Sequence, residues 1–520
     1  MNALFSPPRR RWLQQASLMA LAALTRPLPA GAGEADPAFV DYPFKLGVAS
    51  GDPLADGFVL WTRLAPNPLA PDGGMGGLGP VRVTWEVAAD AEFASPVRRG
   101  AVLAHPGRGF AVHVDVTGLE PDRGYFYRFS AGEAVSPTGR VRTFPVVGAP
   151  SEKMRLAWAS CAHYGQGYFG AYRHMVADDL DLVIHVGDYL YESTWGPRVR
   201  FHLPEPFTLE QYRSHHALYK TDPDLQAAHA RYPWLVTWDD HEVDNDYAGF
   251  FDENNPEVRE AFVRRRAAAY QAYYEHMPLR LSARPQGADM HLYSNLQFGD
   301  LAHLMVLDNR QYRDDQACPG PGFGGQIITD CDQRLDPARS MLGLEQEEWL
   351  QRQLNRPSRW RIIAQQTLMA ALSQGGMEMV GDRRWSDGWD GYAATRARLL
   401  TGIAERNIDN VIVLGGDVHS FWVTDLKVNF DDPRAPAVAT EFVTTSVTAA
   451  SGSWGEALLP ANPHVKFHAW RHRGYGLMEL TPGGARVELR AVDNVNDPKS
   501  GVSTLKAFAV EAGKPGAVAI

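Results

Sequence analysis

Three cysteines in 520 residues are too few for a disulfide scaffold, and an odd number cannot all pair within one chain. An excess of base is also missing. The formal net charge is -10, and setting aside the first 32 residues, which hold four arginines and no acid, leaves 47 bases against 61 acids. Such a chain lacks the overall electrostatic footprint of a nucleic-acid binder, although it can gather carboxylates around cations. An apolar stretch near the start, roughly Trp12 to Leu24, is too short to anchor in a bilayer. There is no internal repeat and no low-complexity tract. What is present, 45% hydrophobic, 11% aromatic and 22% charged residues, describes a folded globular protein and excludes disordered, collagenous and coiled-coil classes. The length implies two or more domains.

The leader runs from Arg9, Arg10 and Arg11 into that apolar stretch and then into small residues. RRRWLQ resembles a twin-arginine export signal, with Trp12 and Gln14 departing from its commonest form, and Ala30-Gly31-Ala32 resembles a cleavage site. The resemblance implies a signal peptide over 1–32, passage through the twin-arginine machinery, and a periplasmic or secreted mature chain. The alternative is an uncleaved basic amphipathic start. Outside the cytoplasm, Cys318 and Cys331 are expected to pair, because they flank the Gly- and Pro-rich stretch PGPGFGGQIITD, which gains from a staple. Cys161 is then left over, and a lone cysteine is usually a small buried hydrophobe.

Between about 40 and 148 the pattern is of short strands and turns. FVLWTRL, VRVTWEVA, FAVHVDVTGL and YFYRFSAG alternate β-branched and aromatic residues with polar ones, which predicts a β-sandwich of immunoglobulin or fibronectin type. Leu119, Pro121, Tyr125 and Tyr127 read as its late-strand corner, and TFPVVGAPSEK as a linker. From 152 to 500 strands alternate with helices: RLAWASC, then GQGYFGAYRHMVADD with Phe169, Tyr172, Met175 and Val176 on one face, then DLVIHVG. This unit predicts a parallel pair with Cys161 and Asp188 at carboxyl ends, and PWLVTW and NVIVLGG repeat the device before Asp239 and Asp417. MHLYSNLQFGDLAHLMVLDNRQYR predicts two antiparallel strands of a second sheet. The helices PEVREAFVRRRAAAYQAYYEHM and LGLEQEEWLQRQLNR read as sheet covers with solvated charged faces, and 501–520 as a tail.

Four motifs stand at predicted strand ends: SCAHYG with Cys161, GDYLYE with Asp188, Tyr191 and Glu192, WDDHEVDND from Asp239 to Asp246, and GGDVHS with Asp417 and His419. Each alone is a common turn or hydrogen-bonded pair. Their succession is what carries weight, because it delivers thiolate, carboxylate, phenolate and imidazole donors to one crevice. That mix suits trivalent iron, and the additional carboxylates suit a harder divalent cation.

The order GD, DHE, GDxH resembles the calcineurin-like metallophosphatase superfamily. SC, GDYxYE, WDDHE and GGDVH, behind an LGVASGDP sandwich, resemble its PhoD-type alkaline phosphatases over nearly the whole mature chain. The resemblance implies an α/β fold, a two-sheet α/β/β/α metallophosphatase sandwich carrying the N-terminal β-sandwich. It also implies Fe(3+) and Ca(2+), with Cys161, Asp188, Tyr191 and His419 on iron, Asp188 shared, and Asp417 on the second metal. Asp239, Asp240 and Asn245 are alternative partners for calcium. His241 is the expected proton-transfer or phosphate-contacting group, oriented by Glu242 or Asp239. Arg310 either clamps phosphate or pairs with Asp308 or Asp314.

The implied activity is hydrolysis of phosphate monoesters, and of some diesters, through a metal-bridging hydroxide. Two alternatives remain at this point: a phosphodiesterase or phospholipase D using the same site, and a non-catalytic calcium-stabilised surface protein. His163, Gln365 and Gln366 are possible pocket borders, whereas His215, His216, Trp385, Trp389 and Trp422 are assigned to packing or surface.

Overall fold

The computed structural model describes residues 38–520 apart from 200–201, 254–258, 321–323, 375–381 and 453–455. The leader, with its arginine cluster and cleavage motif, lies outside the described residues.

Six parallel strands hold the site. In the first sheet, β1 (Met154–Ala159), β2 (Leu182–Val186) and β3 (Pro233–Thr237) are neighbours and run parallel, and in the second, β4 (Ala302–Val306), β5 (Trp360–Ala364) and β6 (Val411–Gly415) do the same. β2 and β3 are buried at every position, as expected of strands covered on both faces. The period of two shows how. Leu156, Trp158, Leu182, Ile184 and Val186 pack against Leu304, Val306, Ile362 and Leu414 between the sheets. Ala157, Ala159 and Val183 face a layer that includes Tyr172, Met175, Tyr212 and Tyr270, on the helices Gly170–Ala177 (α1), Leu209–Lys220 (α2) and Arg259–His276 (α4). On the far side Met305, Ile363 and Val413 meet Leu350, Leu400 and Ile403 from Leu344–Leu354 (α5) and Ala393–Glu405 (α6). The layers are therefore helix, sheet, sheet, helix.

The chain starts its helices with recognisable chemistry. Thr208 and Gln211 form a capping box at α2, and Asp222 caps Pro223–Arg231 (α3), whose first residue is proline.

Three features differ from the sequence reading. The strand Val48–Leu54 pairs in parallel with β3, Ser50 opposite Pro233 and Gly51 opposite Trp234, so it and the strands Gly57–Arg63 and Ala111–Val116 extend the first sheet to ten strands. The N-terminal sandwich thus shares a sheet with the region that follows it. Its other sheet is built on Val81–Ala88, Pro96–Ala104 and Gly124–Ala131, and packs through Val83, Tyr127 and Phe129 against Val48, Phe58 and Leu60. Second, Val502–Glu511 is no tail: it pairs along Gly484–Val492. Third, the charges of α4 are only partly solvated. Arg264 is exposed, but Arg265 reaches Asp244 at 2.9 Å and the Tyr212 hydroxyl, and Arg266 donates to the carbonyls of Ala288 and Gly249. An arginine run on a helix next to polar loops satisfies those loops from below, at a cost offset by full hydrogen bonding. The Tyr125 hydroxyl accepts from the Glu120 amide at 3.0 Å, closing the corner of the sandwich.

Cys318 and Cys331 are bonded, with Cα atoms 6.3 Å apart and a sequence separation of 13. Replacing both by serine is expected to lower unfolding free energy by at most about 3 kcal/mol, the loop-closure value for a loop of this size. Denaturant titration checks this, with metal content unchanged.

One half-buried and one fully buried histidine give the fold an acid limit. Burial lowers His113 to about 4, despite its bonds to the Met277 and Tyr274 carbonyls, and burial together with Lys220 lowers His185 to about 3. The unfolded chain takes up these protons near pH 6.5 while the folded chain refuses them, so their stabilisation is complete above 6.5 and lost as pH falls toward 4 and 3. The melting temperature should drop across this window, and His185→Phe should make the drop shallower; an unchanged slope contradicts the assignment.

Candidate metal centre

Every loop that carries a candidate ligand follows the carboxyl end of a buried strand, the end at which open parallel sheets place their crevices. Cys161 follows β1, Asp188 follows β2, Asp239 to His241 follow β3, and Asp417 and His419 follow β6. Cys161, Asp188, Asp417 and His419 all take left-handed backbone conformations, with φ of 59°, 54°, 65° and 52°. Non-glycine residues pay for that conformation, and such outliers concentrate at functional sites. The loops are also pressed together. A Cβ on Gly187 would lie 2.5 Å from the Asp239 Cβ, and one on Gly416 would lie 2.3 Å from the Ser160 hydroxyl.

Three donor groups result, each with ligand atoms within 4.8 Å of one another: Cys161, Asp188 and His419; Asp188, Asp239 and Asp417; and Asp188, Asp240 and His241. Asp188 is in all three. The first mixes sulfur, oxygen and nitrogen, whereas the second is all oxygen. The Tyr191 hydroxyl lies 3.0 Å from both Asp188 Oδ2 and His419 Nε2, which places it at the first group. His419 Nδ1 donates to the Ala450 carbonyl at 2.7 Å, and burial lowers this imidazole to about 4. The ring is thereby held neutral with the Nε2 lone pair directed toward Tyr191 and the first donor group, the tautomer a metal ligand requires.

The electrostatics call for a cation. Burial, then repulsion from Asp240, Asp239 and Glu242, pushes Asp188 well above the ordinary carboxylate range, against the pull of His241. Burial raises Asp239 despite Arg310, and burial with the Asp188 charge raises the Cys161 thiol. One oxygen each of Asp188, Asp239 and Asp240 is buried with no hydrogen-bond partner. Convergent, unsatisfied anionic oxygens beside a thiol are a strongly unfavourable arrangement until a metal fills it. The donor chemistry fits a transition-metal ion at Cys161 and a hard cation at the all-oxygen group.

His241 is placed differently from the sequence expectation. Its Nδ1 donates to Glu192 Oε2 at 2.7 Å, so Glu192 orients it, and neither Glu242 nor Asp239 does. Burial opposes its charge, but Glu192, Asp240 and Asp188 together outweigh burial and hold the imidazole well above its ordinary value. Its ring lies 4.2 Å from that of Tyr191.

Arg310 is fully buried and committed. It reaches Asp239 at 2.5 Å, Asp387 at 2.9 Å and Asp240 at 3.5 Å. The sequence reading offered a phosphate clamp or a pair with Asp308 or Asp314; the guanidinium instead neutralises the backs of two candidate ligands and of Asp387, while Asp308 accepts from the Arg310 backbone N–H. Asn245 donates to Glu253 at 2.8 Å.

The residues assigned to borders and packing also separate. The His163 ring lies 4.8 Å from that of Tyr191 and tilted to it, and its Nδ1 accepts from the Gly165 amide. Gln365 and Gln366 are consumed by buried partners. Trp389 and Trp422 are fully buried, whereas Trp385 is 37% exposed. Asp387, which carries the far end of the arginine network, escaped the sequence reading. Its only local signal is a turn-like SDGWDG.

Two matches to the PhoD-like phosphatases span this architecture, one to the phosphatase itself over residues 156–489 and one to its N-terminal domain over 30–145. The chain is 44% identical to alkaline phosphatase D of Bacillus subtilis (strain 168), covering 98% of this chain and 88% of that protein. It superposes on a solved structure of PhoD with a TM-score of 0.87 at 44% identity, covering 93% of each chain. On the extent of both matches, the chain belongs to the PhoD-like phosphatase family.

Proposed function

We propose that this chain is an exported metal-dependent phosphoesterase that releases inorganic phosphate from monoesters, with Fe(3+) at Cys161, Asp188, Tyr191 and His419 and Ca(2+) at Asp188, Asp239 and Asp417. The observation that carries this reading is the convergence of three donor groups on Asp188, whose free oxygen is buried without a partner. Asp240 is a further oxygen donor toward the second ion, through its group with Asp188 and His241.

Bound cations supply Lewis acidity there: neutralisation of phosphate oxygens and acidification of an attacking water. The remaining work falls to the chain. Glu192 accepts a hydrogen bond from Nδ1–H of His241 and fixes the ring, which leaves the Nε2 proton for the leaving oxygen of the ester or for a phosphate oxygen. The surrounding carboxylates keep that imidazole charged, the state a proton donor must start from. Arg310, sealed behind Asp239 and Asp240, holds these side chains in place without touching substrate.

Among the described residues no helix is long and apolar enough to cross a membrane. Export through the twin-arginine machinery rests on the leader sequence. The test of the activity is a comparison of a soluble aryl phosphate, the matching diester and a phospholipid, each before and after chelation. Fastest turnover of the monoester, abolished by chelation, is expected; preference for the phospholipid would reassign the enzyme to phosphodiester chemistry.

A further inference from the structure

Glu242 has a place in this site that its position in the DHE motif does not reveal. Its carboxylate is buried, and three main-chain N–H groups converge on it: Oε2 accepts from Asp188 at 3.1 Å and from Asp239 at 2.9 Å, and Oε1 accepts from Tyr189 at 2.6 Å. The donors come from two separate loops, those after β2 and β3. These are the loops that meet at Gly187, where no Cβ fits against Asp239. Hydrogen bonds to an ionised acceptor are among the stronger ones in proteins. A carboxylate shared by three of them fixes the distance between the two backbones from which Asp188 and Asp239 project.

The loop after β1 is tied to the Asp188 loop by other means. Cys161 N–H donates to the Gly187 carbonyl at 3.2 Å and Ala162 N–H to the Asp188 carbonyl at 2.9 Å. The Cys161, Asp188 and His419 group therefore has ties of its own that do not run through Glu242, whereas Glu242 is the side chain that bridges the Asp188 loop to residues 239–241.

We infer that Glu242 is a positioning residue that holds the all-oxygen metal site in register with the sulfur-containing one, an inference that rests on the two-cation reading above. Glu242→Gln preserves size and removes one acceptor. However the amide is turned, at least one backbone N–H then faces another donor.

The structure supplies its own control. Glu441 is a second buried carboxylate accepting two main-chain N–H groups, from Met369 at 2.6 Å and Ala370 at 3.0 Å, and the Thr424 hydroxyl, in the second sheet. Glu441→Gln makes the same chemical change outside the three donor groups.

The experiment loads the wild-type chain, E242Q and E441Q with iron and calcium, dialyses each against graded calcium chelator, and counts both metals per chain alongside the melting temperature and kcat. Glu242→Gln should retain iron, bind calcium at least tenfold more weakly, and regain kcat when calcium is added in excess. Glu441→Gln should melt lower with wild-type calcium retention. The inference is overturned if E242Q binds calcium as tightly as wild type, or if it loses both metals in step with its melting temperature. A wild-type chain that takes up only one metal overturns the two-cation reading, and the inference with it.

Discussion

Asp188→Ala should abolish phosphate release and empty both metal sites together. Asp188 is the residue common to all three donor groups, and one of its oxygens is buried without a partner while the other accepts from Tyr191. Removing it takes an anionic ligand from each site at once. It brings no relief of backbone strain at residue 188, because alanine reaches φ of 54° less readily than aspartate does. Metal analysis beside a turnover assay checks the result. A variant that loses one metal, keeps the other and turns over normally would contradict the shared-ligand assignment.

His241→Ala is expected to behave in the opposite way, cutting kcat by about a hundredfold or more while the metals stay. The scale is that of a positioned proton transfer. The basis is that Nδ1 is already occupied by Glu192 at 2.7 Å, which makes the ring a held acid. The ligands proposed for the two ions, Cys161, Asp188, Tyr191 and His419 for one and Asp188, Asp239 and Asp417 for the other, do not include it. Departure of calcium with the imidazole would show that the Asp188, Asp240 and His241 group binds metal through the histidine.

The sequence carried the parts of this site that obey a local rule. Cys161, Asp188, Asp239 and Asp417 each follow a short buried apolar run, and a parallel sheet brings all such ends to one side, so their convergence was legible from spacing alone. Partner choice was not. Glu242 stands next to His241 in sequence, yet its carboxylate turns back to two loop backbones while Glu192, 49 residues earlier, takes the imidazole. Arg310 reads as a basic residue in a polar loop; its burial depends on Asp387, 77 residues later, and on two aspartates from another sheet. The N-terminal strands presented the alternation of a sandwich, but the pairing of Ser50 with Pro233 leaves no local trace, since a parallel partner is chosen by tertiary packing and not by a turn. For Val502–Glu511 the alternation was present in VSTLKAFAVE, and only its place at the end of the chain suggested a tail.

The central claim is that two chemically different cations share Asp188 and that turnover requires both. The most direct measurement is the metal content of the chain purified from its native host, titrated down by chelation while hydrolysis of one aryl phosphate is followed. The account predicts iron and calcium on each active chain, with activity falling in proportion to calcium before any iron leaves and returning when calcium is restored. Full activity in a chain stripped of both metals would contradict it.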